Sequence, residues 1–253
     1  MIILKTPAEI ELMAEAGRRL AHALDVLRTE VKAGIPTNLL ETRARELIAD
    51  AKCTSAFLGY QPGGAHKPFP AALCVSVNST VVHGVPSGYI IKESDLIKLD
   101  FGLVYKGFYA DAAITVEVGK VSARAHELVT TTRHALQSAI KEAKPGNTLG
   151  DIGWIIEDIV RSNGFSIADT LTGHGIGREL HEDPWVMNSG RPGKGEELKP
   201  GMVIAIEPMV TAGKGHVKQG VEDSYETADG SLAAHFEHTV AITERGPRVL
   251  TKI

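Results

Sequence analysis

The stretch LIKLDFGLVYKGFYADAAITV, residues 96–116, decides how the rest of the chain is read. Ile97, Leu99, Phe101 and Leu103 recur at every second position, the pattern of a strand with one buried face. Gly107 marks a turn, and a β-hairpin whose loop is centred between Tyr105 and Lys106 is expected. That centring puts Asp100 directly opposite Asp111, with β-carbons about 4.5–5.5 Å apart. Facing carboxylates repel one another unless a proton or a cation lies between them, and a cation is the better reading.

Three further groups sharpen it. Glu207 lies in the strand-like MVIAIEP, on the face of Val203 and Ala205. Glu237 lies in AHFEHTVAIT and shares a face with Thr239 and Ala241. His174 sits in GHGIG, where glycines oppose a helix and let the backbone approach closely. Any one of these side chains, alone, reads as a strand-end or surface residue; together they make a set. It is too rich in oxygen for a structural zinc site, which favours cysteine and histidine. Four carboxylates and an imidazole suit a pair of divalent ions with shared, bridging carboxylates, whose positive charges balance the negative ones.

The helices around these strands are written in the periodicity. Thr6, Pro7 and Glu9 make a helix start with a capping box, followed by Ile10, Met13, Leu20, Leu24 and Leu27 at helical spacing to about Val31. A second helix begins near Thr37, carries Leu40, Ala44, Leu47 and Ile48, and ends near Lys52. The plan recurs: a helix from about Ala123 to Ala143, then Lys144-Pro145-Gly146, then Thr148 capping a helix with Ile152, Ile155, Ile156 and Ile159. Each helix pair leads into β-rich sequence that carries candidate ligands. One domain over residues 1–253 is expected, built from pseudo-repeats of about 1–120 and 121–253 that meet at a shared central floor.

With 253 residues, 43% hydrophobic and 23% charged, the chain has the composition of a globular protein with a sizeable core. A net charge of −4 gives no basic footprint for nucleic acid or an anionic membrane. Cys53 and Cys74 offer neither a disulfide framework nor zinc-finger spacing, which fits a reducing compartment. Ile2, Ile3 and Leu4 before Lys5 are too few for a signal-peptide core or a membrane span, so a cytoplasmic protein is expected.

The order Asp100, Asp111, His174, Glu207, Glu237, with VNSTVVHGVP (77–86), GHGIGRELHEDP (173–184), IEPM (206–209) and HFEHT (235–239), resembles the type I methionine aminopeptidases across essentially the whole chain. The resemblance implies the pita-bread fold, an α/β (α+β) arrangement of two pseudo-symmetric ααβ halves with the metal site on a central antiparallel sheet. It implies removal of the initiator methionine from nascent polypeptide N-termini, with two divalent ions per chain (cobalt, manganese, iron or zinc) and a metal-bridging water or hydroxide as nucleophile. Asp111 and Glu237 would bridge both ions, Asp100 would chelate one, and His174 and Glu207 would complete the other. Glu207 would handle the water proton, His181 would stabilise the tetrahedral oxygen, and His83 would contact the scissile amide. The methionine pocket would be lined by Phe57, Tyr60, Phe69, Cys74 and Leu180 together with His83, a mostly apolar wall suited to a thioether. Ribosome proximity follows from that substrate; a monomer with no nucleic-acid or membrane partner is expected.

Departures from the family are Phe57 in place of a frequent cysteine, Leu180 in place of phenylalanine, Asp223 in place of tryptophan, and a longer QPGGAHKPFPAAL stretch (61–73) that includes His66. They are expected to alter selectivity before the metal chemistry. Cys74 reads as a wall, not a nucleophile. His126, His134 and His216 read as surface residues; His235 and His238, flanking Glu237, either support the site or merely pack. A proline-directed relative of aminopeptidase P or prolidase type is the alternative enzyme. It is opposed by the lack of room for an N-terminal domain and by His235 where those relatives tend to carry arginine. A metal-free binding protein of the same fold is the other alternative, opposed by the retention of every ligand.

Overall fold

The computed structural model describes residues 1–61, 67–220 and 223–252. Among them the helices are α1 (Pro7–Glu30), α2 (Thr37–Asp50), α3 (Ala123–Glu142) and α4 (Leu149–Ser162). The strands of the first half are β1 (Thr54–Ser55), β2 (Leu73–Val77), β3 (Thr80–Val82), β4 (Leu96–Tyr105) and β5 (Phe108–Glu117). Those of the second are β6 (Ser166–Ile167), β7 (Thr172–Gly175), β8 (Glu182–Met187), β9 (Val203–Ile206), β10 (Met209–Thr211), β11 (Val217–Gln219), β12 (Tyr225–Thr227), β13 (Ala233–His235), β14 (His238–Thr243) and β15 (Gly246–Val249).

The helices start where the caps are. Thr6 and Glu9 exchange reciprocal bonds around Pro7 at the head of α1. At the head of α4 the Asp151 carboxylate accepts from the Thr148 amide at 2.7 Å. The buried faces of α1 and α2 pack on Ile97, Leu99, Phe101 and Leu103 of β4 and on Ala110 and Ala112 of β5. A second core joins α3 and α4 to Ile204, Ile206, Val240 and Ile242 of β9 and β14. Two helix pairs thus cover two sets of antiparallel strands, which is the pita-bread arrangement with its two pseudo-symmetric halves. No helix among the described residues is long and apolar enough to cross a membrane.

The hairpin register differs from the sequence-based expectation. Tyr105 pairs with Phe108, so the turn is centred on Lys106-Gly107, and Asp100 faces Ala113 while Asp111 faces Gly102. Lys106 at φ 50° and Gly107 at φ 78° are both left-handed, the conformation of the two-residue turn whose twist matches flanking antiparallel strands. A slip of two positions keeps both aspartates on the same face, and they become diagonal neighbours instead of an opposed pair. That face is the one turned away from α1 and α2.

The glutamates also stand elsewhere than expected. Strand β9 ends at Ile206 and β14 begins at His238, so Glu207 and Glu237 lie just outside the strands. His238 pairs with Ile206 and Met209 pairs with His235, which leaves Glu207 and Glu237 facing each other where the chain leaves one sheet for another. The main-chain bonds lost there are made across the halves: the Glu237 amide donates to the Ala113 carbonyl at 2.9 Å.

Candidate metal centre

The five residues singled out above come together. Asp100, Asp111, His174, Glu207 and Glu237 are all buried. The ligand atoms of Asp111, His174 and Glu237 lie within 4.8 Å of one another, and those of Glu207, His235 and Glu237 form a second such group. Asp100 belongs to neither group; its carboxyl lies beside that of Asp111. The Nε2 atom of His174 is 3.4 Å from Glu207 Oε1. On its other side, His174 Nδ1 is 2.9 Å from the Gly175 carbonyl, a bond in which the ring donates and Nε2 is left with its lone pair toward the carboxylates.

The electrostatics are those of a centre built around positive charge. Burial, then the neighbouring Asp111, pushes Asp100 well above the usual carboxylate range. Burial pushes Asp111 up to about 7. Glu207 is likewise held high, by burial first and the two aspartates second, and Glu237 by burial first and then by Asp111, Glu207 and Asp100. Burial pulls His174 down to about 4 and His235 to about 3. Asp100 Oδ1, Asp111 Oδ1, Glu237 Oε1 and both ring nitrogens of His235 are buried with no hydrogen-bond partner among the described residues. Orphaned carboxyl oxygens gathered in one place, with no ion pair to a lysine or arginine among the described residues, make a candidate donor set for a metal.

Two threonines hold the halves together at this point. Thr239 Oγ1 accepts from the Asp111 amide at 3.0 Å and donates to the Asp111 carbonyl at 2.8 Å. Thr115 Oγ1 treats His235 in the same manner, at 2.9 and 2.8 Å. The clamps tie β5 of the first half to β13 and β14 of the second. Asn188 Nδ2 donates to the Glu207 carbonyl at 3.0 Å. None of these three was singled out by sequence, because each acts on a partner remote along the chain.

This constellation has a match among known proteins. Residues 11–244 fit the model of metallopeptidase family M24. The methionine aminopeptidase of Clostridium perfringens is 45% identical over 100% of both chains. The crystal structure of methionine aminopeptidase from Thermotoga maritima superposes with a TM-score of 0.95 at 45% identity, again covering 100% of both chains.

The chain belongs to metallopeptidase family M24, on its type I methionine aminopeptidase branch.

A prolidase from Pyrococcus furiosus shares the fold at TM-score 0.78 and 27% identity, but this chain covers 66% of it. The proline-directed alternative is therefore not favoured.

The remaining residues expected in the M24 site lie near this candidate donor set. Phe57, Cys74 and Leu180 are buried in one apolar cluster, with Tyr60 and Phe69 packed against it. Cys74 faces Asp100 across the β2–β4 ladder, so the apolar wall begins one strand away from the carboxylates. Burial pushes its thiol well up, opposing a thiolate. Gly102 makes the wall possible: a β-carbon there would lie 2.8 Å from Phe57 Cε1. His181 stacks edge-on to His174 at 4.3 Å between ring centroids, and its Nδ1 is 2.6 Å from the Tyr60 hydroxyl. His83, in the left-handed region at φ 59°, stands at the exposed rim against Tyr225 and hydrogen-bonds the main chain of Asp223. Asp223 accepts from Gln219 Nε2 at 2.6 Å. His126, His134 and His216 are exposed, and His238 bonds Thr251. Residues 62–66 of the longer stretch, His66 among them, lie outside the described residues.

Proposed function

We infer that the chain is a cytoplasmic, metal-dependent methionine aminopeptidase that hydrolyses the peptide bond after an unblocked N-terminal methionine of nascent polypeptides. The observation that carries this reading is the set of orphaned, buried carboxyl oxygens directly beside an apolar cluster. Asp100, Asp111, His174, Glu207 and Glu237 would hold the divalent ions. Bound there, such ions lower the pKa of water toward neutrality and polarise the scissile carbonyl.

The chain's own groups do the rest. Glu207 takes the proton of the attacking water and hands it toward the leaving amine. Where the Tyr60 hydroxyl donates to His181 Nδ1, Nε2 keeps its proton and donates to the oxygen of the tetrahedral intermediate. His83, fixed by the Asp223 main chain, contacts the scissile amide. The thioether fills the space between Phe57, Phe69, Cys74 and Leu180, where no charge is matched and no hydrogen bond is demanded. Binding of the substrate's free amine beside these carboxylates would make the enzyme an exopeptidase, working as a monomer on chains emerging from the ribosome.

The decisive assay is a peptide panel varying the first two residues, run with cobalt, manganese, iron and zinc. Release of N-terminal methionine before small residues is expected to dominate. Equal release of leucine or arginine would undo the pocket assignment, and faster cleavage of Xaa-Pro peptides would restore the proline-directed alternative. His83→Ala is expected to lower kcat by about 10²–10³-fold with metal content unchanged, the scale of a lost transition-state contact.

A further inference from the structure

We propose that His235 is itself a metal ligand, completing with Glu207 and Glu237 a position for a divalent ion of borderline softness. The proposal rests on the metallopeptidase reading above and adds to it a nitrogen donor that the five-residue set does not contain.

The side chain is enclosed, 1% exposed, at the end of β13. Among the described residues neither ring nitrogen has a hydrogen-bond partner. An imidazole that merely packed would leave two polar atoms unpaired in the interior, which buried groups rarely tolerate. Its Nε2 lies 3.6 Å from Glu207 Oε2, beyond hydrogen-bond reach. That separation has a simple meaning for co-ligands. Two donors each about 2.1 Å from a common ion at a tetrahedral angle stand about 3.4 Å apart. The His174–Glu207 pair shows 3.4 Å on the other carboxylate oxygen. Glu207 thus stands between two imidazoles, each at the spacing of ligands around an ion, and Glu237 completes the group.

The backbone holds the ring there. Thr115 clamps both the amide and the carbonyl of His235, so the side chain leaves a fixed point of β13. Ligand orientation imposed by buried hydrogen bonds of this kind is what metal sites require. The chemical consequence is a shift in ion preference. Oxygen-only positions suit manganese, whereas a second imidazole moves a site toward zinc, cobalt and nickel.

The test counts imidazoles. The full chain, labelled with ¹⁵N-histidine and stripped with chelator, is titrated with Zn²⁺ and followed by NMR. Two imidazoles, those of His174 and His235, are expected to show Nε2 coordination shifts. In His235→Gln the count falls to one, zinc affinity drops by about 10²-fold, the upper end of losses at groups supporting a metal site, and manganese affinity changes far less. A response from His174 with His235 unmoved in the natural protein overturns the proposal and leaves the peptidase reading standing. A response from neither ring overturns both. Because the first measurement uses the unaltered chain, a misfolded variant does not decide the outcome.

Discussion

Asp100 and Asp111 stand on an unbroken ladder of ten residues per strand, whereas Glu207 and Glu237 stand where two ladders stop. In the first half, regular pleating aims both aspartates at one face, and the Asp111 amide and carbonyl, which point away from β4, are covered by the Thr239 hydroxyl. In the second half the strands part, and the exposed main-chain groups must find other partners: Asn188 for the Glu207 carbonyl and Ala113 for the Glu237 amide. The short carboxylates therefore sit where the backbone is close and regular, and the longer ones where it diverges. The same centre is reached by two devices, and side-chain length is matched to each.

Exchanging those lengths is the strongest way to break the comparison. Asp111→Glu and Glu237→Asp keep charge and alter reach by one methylene. Each is expected to cost at least about 10²-fold in kcat, since displacement of about 1 Å suffices for that. Retained turnover in Glu237→Asp, measured with saturating metal, would show that the ladder break does not set the reach.

The clamps between the halves come next. Thr239→Val leaves the Asp111 amide and carbonyl unpaired, and about 2 kcal/mol of stability should be lost with turnover down about tenfold. Thr115→Val should destabilise by a similar amount through His235. Denaturant unfolding and kcat of the two variants, side by side, sharpen which clamp serves the chemistry. If Thr239→Val left both quantities untouched, the coupling of the halves at Asp111 would be wrong.

The smallest effect is expected at the hairpin tip. Gly107 holds φ 78° with nothing within 4 Å of where a β-carbon would be. Gly107→Ala should cost about 1 kcal/mol of backbone strain and leave turnover unchanged. A fall in activity would mean that the turn communicates with the aspartates, against the independence of a regular ladder.

Much of this molecule was legible in advance, and the reason is locality. The capping box at Thr6 and the 3.6-residue stripes of α1 and α2 depend on neighbours a turn away, as does the alternation from Ile97 to Leu103. The hairpin itself was legible, but its register was not: Lys106 adopts a left-handed conformation that a lysine rarely takes, so the turn lies one residue later than the side chains suggest. The expected face survived because an error of two positions preserves the pleat.

The ligand set was readable as a pattern of residue types in order. Its geometry was not. Nothing local states that Glu207 and Glu237 fall outside their strands and face one another, since that depends on which sheet each segment joins. Nor does local sequence decide between the two readings of His235 and His238. The fold turns the first toward Glu207 and the second toward Thr251.

By itself, then, the amino-acid order determined the helices, the strand faces and the inventory of metal-binding side chains, because periodicity and donor chemistry are properties of short segments. Only the tertiary structure decided which oxygens and nitrogens share a coordination sphere. That depends on contacts between residues more than a hundred positions apart, such as Asp111 with Thr239 and Thr115 with His235, and no short-range preference encodes them.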